Sequence, residues 1–240
     1  GPAADTAVDQ WFWADSILGF STMSVLSSTL VGDGQQYLIC NSQFQVENSA
    51  LFFNVEPAWD SLPDLRINVP ADMPDYRSIA SLIALGDFNG DTWEDIVVHM
   101  SPGTNDVRGA ICFYWGGPGF DTIPDLIIQR PGSYVCGAED FGEYILVSPG
   151  DLNGDGWDDL LAGSGVSCDD ALNFVFFGGP AIDTVPDVTI DTRLSLFNVA
   201  GDVNNDGHPD IIASYALPFS GSGYVHLFMG GTDFDNVPDW

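Results

Sequence analysis

One short phrase recurs four times along this chain and limits what the chain can fold into. It reads DTIPDLII at Asp121–Ile128, DTVPDVTI at Asp183–Ile190, DSLPDLRI at Asp60–Ile67 and, shortened, DNVPDW at Asp235–Trp240. The aspartates that follow the prolines are residues 64, 125, 187 and 239, so successive copies lie 61, 62 and 52 residues apart. Self-similarity with such a period is typical of arrays of one supersecondary unit, including the blades of β-propellers.

Other features repeat in the same phase within the units. An aromatic run that ends in Gly-Gly precedes three of the phrases, as CFYWGG, FVFFGG and HLFMGG, and a Gly-Asp turn followed by an aliphatic run comes earlier. Short apolar runs bounded by Gly, Pro, Asn and Asp are typical of strands. We therefore predict an all-β fold, a β-propeller of four blade-like repeats with four antiparallel strands each.

The first residues of the chain align with the repeated phrase. DTAVDQWF at residues 5–12 matches DTVPDVTI, so the chain begins and ends at the same phase of the repeat. Because an unpaired sheet edge is liable to aggregate, residues 8–14 could supply the outer strand that the last unit lacks and close a ring of four. Two alternatives stay open: the units are cut from a longer array, or a second chain completes a larger ring.

The boundaries of the predicted domain follow from this phase. The repeated units are 15–75, 76–133 and 134–191, with a fourth made of about 5–14 together with 192–240. These units form one predicted domain over residues 5–240. Gly1-Pro2 resembles the remnant of a protease cleavage site, so we interpret residues 1–4 as a tag remnant or linker.

The charge composition narrows the possible partners. The chain carries 35 Asp and Glu against 5 Lys and Arg, for a formal net charge of −30, and all five basic residues are arginine. Such a surface repels nucleic acid and anionic membranes, and no apolar stretch is long enough to span a bilayer. The hydrophobic content of 45% and the aromatic content of 12% indicate a folded chain despite its charge. The acidity fits a highly soluble surface or cation binding.

The Gly-Asp turns of three units have the spacing of a calcium loop. Ca²⁺ takes about six to eight oxygen ligands from a tightly turning backbone. Each loop offers Asp, Asn and Asp at positions one, three and five, a backbone carbonyl at position seven and Asp at position nine. The predicted ligands are Asp87, Asn89, Asp91, Trp93 and Asp95; Asp151, Asn153, Asp155, Trp157 and Asp159; and Asp202, Asn204, Asp206, His208 and Asp210. The predicted cofactor is Ca²⁺, about three ions.

The loops differ from an EF-hand at position twelve. An EF-hand needs a bidentate glutamate there, whereas this chain has Val98, Ala162 and Ala213. A hairpin of Asx turns that binds nothing is the simpler alternative, but three copies of one spacing favour a cation because crowded carboxylates repel one another. Thr92 stands where the other two loops have glycine. Since a β-branched residue resists positive φ, we expect this site to be the weakest or slightly reshaped.

These loops resemble those of FG-GAP repeats, the units of integrin α-subunit propellers. The best match is FGEYILVSPGDLNGDGWDDLLAGSG at Phe141–Gly165, with Phe-Gly, a strand, the loop, a second strand and AGSG in place of a Gly-Ala-Pro-like turn. The resemblance implies a β-propeller, commonly seven-bladed, with calcium in some hairpin loops. It also implies an extracellular or cell-surface module that engages in adhesion and binds a protein or glycan ligand.

No catalytic constellation is predicted. His99, His208 and His226 are too few and too scattered for a triad or a histidine metal site, and no serine has the context of a nucleophile elbow. The chain is therefore predicted not to be an enzyme. The alternatives are an enzyme-associated propeller that acts on polysaccharide and an architectural repeat module that assembles with itself, including a homodimer that completes a larger ring.

The four cysteines divide into two groups. Cys136 and Cys168 belong to one unit and flank its first two strands, so a disulfide between them is predicted. Cys40 and Cys112 occur inside strand-like runs and are predicted to be buried thiols.

Overall fold

The computed structural model describes residues 19–27, 30–33, 37–44, 49–54, 64–103, 109–130, 141–142, 145–163, 172–190, 196–216 and 223–240. Every element of regular secondary structure assigned in these residues is a β-strand. Within the same ranges, no helix is long and apolar enough to cross a membrane. The all-β prediction is confirmed.

In the described residues, fifteen strands form four antiparallel sheets, and each sheet is a meander of strands that follow one another in the chain. The first sheet contains β1 (Gly19–Ser27), β2 (Tyr37–Phe44), β3 (Ala50–Asn54) and β4 (Leu65–Ile67). The second contains β5 (Tyr76–Gly86), β6 (Asp95–Pro102), β7 (Ala110–Tyr114) and β8 (Leu126–Gln129). The third contains β9 (Ile145–Gly150), β10 (Asp159–Gly163), β11 (Asn173–Phe176) and β12 (Val188–Ile190), and the last contains β13 (Leu196–Gly201), β14 (Asp210–Ala216) and β15 (Gly223–Phe228).

The central strands are buried along almost their whole length and are mostly apolar, because both faces of each sheet are covered. Successive residues of a strand point to opposite sides of the sheet. In β6, Ile96 packs in a cluster shared with the first sheet, whereas the next residue, Val97, packs in a cluster shared with the third sheet. The continuous run Ile-Val-Val thus follows from a sheet that has a neighbour on each side.

Three apolar clusters of described residues join the four sheets in chain order. The first includes Ile39, Ile67, Ile96 and Tyr114, the second Val97, Phe113, Leu160 and Phe176, and the third Leu161, Val175, Ile211 and Phe228. Full burial of one such side chain stabilises a fold by about 1.5–3 kcal/mol. In the described residues, contacts join each sheet to the next, but none of similar extent joins the last sheet to the first. The arrangement is consistent with a β-propeller-like fold, and no closed ring is observed in this part of the chain.

A hydrogen bond repeats at each junction between sheets. The second glycine of the Gly-Gly pair donates its backbone N–H to a carbonyl of the preceding sheet. These bonds run from Gly117 to Leu30 at 2.8 Å, from Gly179 to Phe88 at 2.8 Å and from Gly231 to Leu152 at 2.7 Å. The donor glycines have φ values of 92°, 116° and 120°, a region that L side chains rarely adopt. Close approach and positive φ together explain why the aromatic run ends in glycine.

Several sequence predictions concern residues that the structure does not describe. Residues 8–14 and the cysteines Cys136 and Cys168 lie outside the described ranges, so strand closure and the disulfide stay predictions. Cys112 is a buried free thiol, as predicted. Among the residues that the structure describes, the last sheet has three strands, and beyond β15 the backbone of Asp239 and Trp240 bonds to Leu227, with Trp240 O accepting from Leu227 N at 2.8 Å.

Candidate metal sites

The three predicted calcium loops occupy equivalent places in three successive sheets. Each connects the first strand of its sheet to the second: β5 to β6, β9 to β10, and β13 to β14. A loop therefore begins where one buried strand ends and closes where the next begins. This placement follows from the sequence, since the ninth-position aspartate runs directly into an aliphatic strand.

The aspartate at position one shapes the turn. Asp151 Oδ1 accepts from the backbone N–H groups of Gly154 at 2.8 Å and Asp155 at 2.9 Å, and its Oδ2 accepts from Gly156 N at 3.0 Å. Asp87 makes the corresponding three bonds, and Asp202 bonds to Asp206 N and Gly207 N. A carboxylate that accepts from its own loop in this way is an Asx turn. The loop conformation is thus specified locally.

The asparagine at position three orients the aspartate at position five. Asn153 Nδ2 donates to Asp155 Oδ2 at 2.8 Å, and Asp155 Oδ1 accepts from Trp157 N at 3.1 Å. The same amide-to-carboxylate bond joins Asn89 to Asp91 and Asn204 to Asp206. An asparagine is required for this bond because an aspartate has no N–H to donate.

The aspartate at position nine ties the loop to the third strand of its sheet. Asp159 is fully buried and accepts from Leu152 N at 2.8 Å, Asn153 N at 3.1 Å and Gly178 N at 2.9 Å. Asp95 makes the equivalent three bonds. Burial raises the pKa of both carboxyls to about 7, even though the backbone N–H groups act to lower it. The sequence predicts a metal ligand at this position and does not indicate its role in bonding the backbone.

The side chains at position seven lie between sheets. A Cβ added at Gly179 would lie 2.9 Å from Trp157 Cε3, and a Cβ added at Gly154, in the preceding loop, would lie 2.7 Å from His208 Cε1. The ring of Trp157 likewise occupies the space above Gly90. Position seven is therefore a packing position as well as the predicted source of a carbonyl ligand. The sequence signal for this packing is the glycine at position four of the first two loops, Gly90 and Gly154.

Thr92 keeps the conformation that glycine has in the other loops. Its φ is 77°, against 99° for Gly156 and 100° for Gly207, and its N–H donates to Asp87 Oδ2 at 2.9 Å. The first loop is therefore not reshaped, contrary to one of the two expected outcomes. A β-branched residue held at positive φ is strained instead.

The donor atoms of each loop suit a hard cation in their chemistry. Carboxylate, amide and carbonyl oxygens are the ligands that Ca²⁺ and Mg²⁺ prefer, whereas zinc and copper favour nitrogen and sulfur. A carboxylate has about four lone-pair sites, so Asp151 and Asp159, with three accepted bonds each, both retain one. In the described residues, however, no three or more His, Cys, Asp or Glu side chains are grouped to hold a metal ion. The carboxylates are turned towards backbone N–H groups, so cation binding would require them to converge further.

The three histidines do not form a site. His99 lies in β6, His226 in β15 and His208 in the last loop. His99 is fully buried, and neither of its ring nitrogens has a hydrogen-bond partner among the described residues. Burial lowers its pKa to about 4, so the ring is neutral at neutral pH.

A groove adjoins the loop of the third sheet. It has a volume of about 400 Å³ and is lined by Asp155, Phe177, Ile182, Asp183, Val185 and Asp187, together with Gly178 and Ala181. Three carboxylates face a small apolar surface here. The groove is thus acidic and suits cationic or amphipathic groups better than anionic ones.

Comparison with known proteins finds a related sequence. The chain is similar to integrin alpha-PS2 from Drosophila melanogaster, with 28% identity over 180 residues, which cover 67% of this chain. The chain spans only 12% of the length of that relative. No protein-family model matches the chain. The similarity supports an integrin-like relationship of the kind that the repeated loops indicate.

Proposed function

We propose that this chain is a calcium-stabilised, adhesion-type module that acts outside the cell or at its surface and binds a protein or glycan ligand. The observation that carries the proposal is the repetition of one hydrogen-bonded loop, with the same oxygen donors, at the same place in three successive sheets. The integrin alpha relative supports the adhesion-type role and the extracellular location. Calcium in this proposal is structural and takes no part in chemistry.

Each cation would be held by the five donors of one loop. In the third sheet these are Asp151, Asn153, Asp155, the Trp157 carbonyl and Asp159. The ion supplies positive charge among three carboxylates that otherwise repel one another. Because Asp159 also bonds to Gly178 N, a bound ion would connect the hairpin to the third strand of its sheet. We therefore expect a bound ion to stabilise the end of the sheet at which the hairpin loop lies.

A repeated apolar feature favours a protein ligand over a glycan. Ile123, Val185 and Val237 occupy the same position of the Asp-x-x-Pro-Asp phrase, and all three are exposed. Each is held outward by an Asx turn whose N–H to carboxylate distance is 2.7 Å. An aliphatic side chain between two carboxylates suits a partner that presents apolar and basic groups, and aliphatic contacts of this kind contribute little to binding sugar hydroxyls.

Thermal unfolding with calcium and with a chelator tests the cation. A ligand that binds only the native state at about 100 times its Kd stabilises it by about 2.7 kcal/mol per site. We expect a higher midpoint in 2 mM calcium, and a smaller calcium effect for Asp155→Asn. The matched control is Asp183→Asn, which changes a carboxylate of the same sheet outside the loop and keeps the acceptor of its Asx turn. Equal midpoints with and without calcium would exclude the structural role.

A separate measurement tests the ligand. Immobilised protein should support calcium-dependent cell attachment, and the variant Ile123→Asp/Val185→Asp/Val237→Asp should lose it while keeping its melting midpoint. Attachment that is blocked only by soluble sugars would assign a glycan ligand. Cleavage of a polysaccharide by the chain would instead favour the enzyme-associated alternative. Absence of attachment in the wild type contradicts the adhesion-type proposal.

A further inference from the structure

Two of the three acidic loops contain an asparagine followed directly by a glycine. These pairs are Asn89-Gly90 and Asn153-Gly154, at positions three and four of the loop, and they are the two Asn-Gly sequences of the chain. In the last loop Asn204 is followed by Asn205 instead. An asparagine before glycine is the sequence most open to deamidation, because glycine has no side chain to hinder attack by its backbone nitrogen on the asparagine amide. The chain thus carries two candidate modification sites and, in Asn204, a comparison at the same loop position.

Deamidation needs only the chain and water. The backbone nitrogen of the glycine loses its proton and attacks the side-chain carbon Cγ of the asparagine, so that an N–Cγ bond forms. The Cγ–Nδ2 bond then breaks, and the amide nitrogen leaves as ammonia with the proton that the glycine nitrogen lost. The product is a succinimide ring, and water opens either of its carbonyl groups to give aspartate or isoaspartate. No oxidant, reductant or cofactor takes part.

In the closed loop the attacking nitrogen is engaged in a hydrogen bond. Gly154 N donates to Asp151 Oδ1 at 2.8 Å, and Gly90 N donates to Asp87 Oδ1 at 2.9 Å. Attack requires this nitrogen to lose its proton and carry negative charge. A carboxylate that accepts the N–H favours the protonated nitrogen and repels the negative charge of the deprotonated one. The aspartate at position one therefore opposes deamidation of the asparagine at position three.

The asparagine amide is held in the closed loop as well. Asn153 Oδ1 accepts from Asp155 N at 2.9 Å, and Asn153 Nδ2 donates to Asp155 Oδ2 at 2.8 Å. In the second sheet Asn89 makes the same two bonds to Asp91, at 2.8 and 3.1 Å. These bonds oppose the rotation that brings Cγ to the glycine nitrogen. Both reacting groups are thus bonded elsewhere for as long as the loop is closed.

We propose that Asn89 and Asn153 are deamidation sites, which the closed loop protects and loop opening exposes. Because ammonia is lost, the change is not reversed when the loop closes again. Aspartate at position three has no N–H to donate to position five, and it places a second carboxylate beside the first. Isoaspartate also lengthens the backbone just before the three N–H groups that bond to Asp151. A deamidated loop therefore does not regain its turn.

The loss of one turn extends to the neighbouring sheet. Trp157 follows Asn153 in the loop of the third sheet, and its ring occupies the space above Gly90 of the second sheet. Displacement of Trp157 weakens the junction between these two sheets. Deamidation at Asn153 thus converts a transient local opening into a lasting defect in packing. The proposal uses only the chemistry and hydrogen bonds of the chain, so it does not depend on calcium or on an adhesion partner.

Peptide mapping by mass spectrometry, after incubation at mildly alkaline pH in chelator, tests the proposal. In urea that unfolds the chain, Asn89 and Asn153 should convert to aspartate and isoaspartate much faster than Asn204. In native buffer both conversions should be at least about tenfold slower, because reaction through a local opening is limited by the population of the open state. Low urea should speed them only slightly, since the effect of urea scales with the surface exposed and one loop exposes little.

A variant tests whether the protection is local. Asp151→Ala removes the acceptor of Gly154 N and should speed conversion of Asn153 in native buffer. Asn89, in the same molecule, should keep its wild-type rate and is the internal control. Circular dichroism checks that the variant is folded, and the urea series on the wild type tests local protection without any variant.

Each outcome decides the proposal. Conversion of Asn89 and Asn153 in native buffer as fast as in urea overturns protection by the loop. Retention of both in urea, or conversion of Asn204 at the same rate, overturns their assignment as the sites. A rise in low urea as steep as that of global unfolding, or equal acceleration of both sites in folded Asp151→Ala, assigns the protection to the whole fold and also overturns it. Slow conversion in native buffer with a local rise at Asn153 supports it.

Discussion

The third sheet and the last sheet carry the same loop in different surroundings. In both loops the position-one aspartate bonds to the backbone at positions five and six, with distances of 2.9–3.0 Å in each. Yet Leu152 in the enclosed loop is fully buried, whereas Val203 in the last loop is half exposed. The loop conformation therefore comes from its own sequence, and its burial comes from the neighbouring sheet.

Removal of the ninth-position carboxylate is expected to give the largest difference in stability between the two loops. Asp159 accepts three backbone N–H groups and Asp210 two, from Val203 at 2.7 Å and Gly230 at 2.8 Å. A buried N–H without a partner costs about 1–3 kcal/mol. Asp159→Ala should thus lower the free energy of unfolding by about 3–6 kcal/mol, and Asp210→Ala by about 2–3 kcal/mol, because Asp210 accepts one bond fewer and one of its donors belongs to the half-exposed Val203. Denaturant unfolding in chelator measures both without a contribution from metal.

Two results would contradict this ranking. Equal losses for the two variants would mean that the enclosing sheet adds nothing to the importance of the carboxylate. A small loss for Asp159→Ala would mean that water satisfies the backbone of the enclosed loop. The control Asp159→Asn keeps one oxygen acceptor and should fall between the wild type and the alanine variant.

The buried histidine of the second sheet should make the free energy of unfolding depend on pH. His99 in β6 is fully buried with a pKa lowered to about 4, below the value of about 6.5 for an unfolded histidine. As the pH falls, His99 is therefore protonated in the unfolded chain before it is protonated in the folded protein. The stability associated with the neutral buried ring is fully present above about pH 6.5 and is lost as the pH falls towards 4. The loss approaches about 3 kcal/mol, at about 1.4 kcal/mol per pKa unit.

A comparison of variants separates the effect of His99 on the pH dependence of stability from the effects of the many carboxylates. His99→Met removes the titrating ring at similar volume and should flatten the fall in unfolding free energy between pH 7 and 4.5. His226→Met makes the same substitution at a half-buried position of β15 and is the matched control for the change of side chain. Superimposable profiles for the wild type and His99→Met would show that the pKa of His99 is the same in the folded and unfolded states and would contradict this prediction.

The sequence predicted the strands and loops, which depend on local patterns, but it did not predict the contacts between sheets. Strands and loops were predictable because apolar runs and Asx spacing act over a few residues, as at Asp151 and Asn153. The bond from Gly179 N to Phe88 O joins the third sheet to the second, and the contact of His208 with Gly154 crosses the next sheet junction. Such contacts depend on how sheets pack, which no local spacing specifies. Calcium itself stays a prediction, since the structure fixes the donors and not their convergence on an ion.

The smallest expected change in stability concerns the residue at position six, and it shows whether the sequence of a loop determines its conformation. Thr92 adopts a φ of 77° where the other loops have glycine. Holding a side chain in the left-handed region costs about 1–2 kcal/mol, and glycine loses about 0.5–1 kcal/mol to the flexibility of the unfolded chain. Thr92→Gly should therefore raise the free energy of unfolding by about 0.5–1 kcal/mol in denaturant titration. Asn205→Gly is the control at another positive-φ position, and because asparagine tolerates that region it should change stability by only a few tenths of a kcal/mol. A loss of stability for Thr92→Gly would mean that the threonine is held by contacts that outweigh its strain, so that the first loop owes its shape to its surroundings rather than to its sequence.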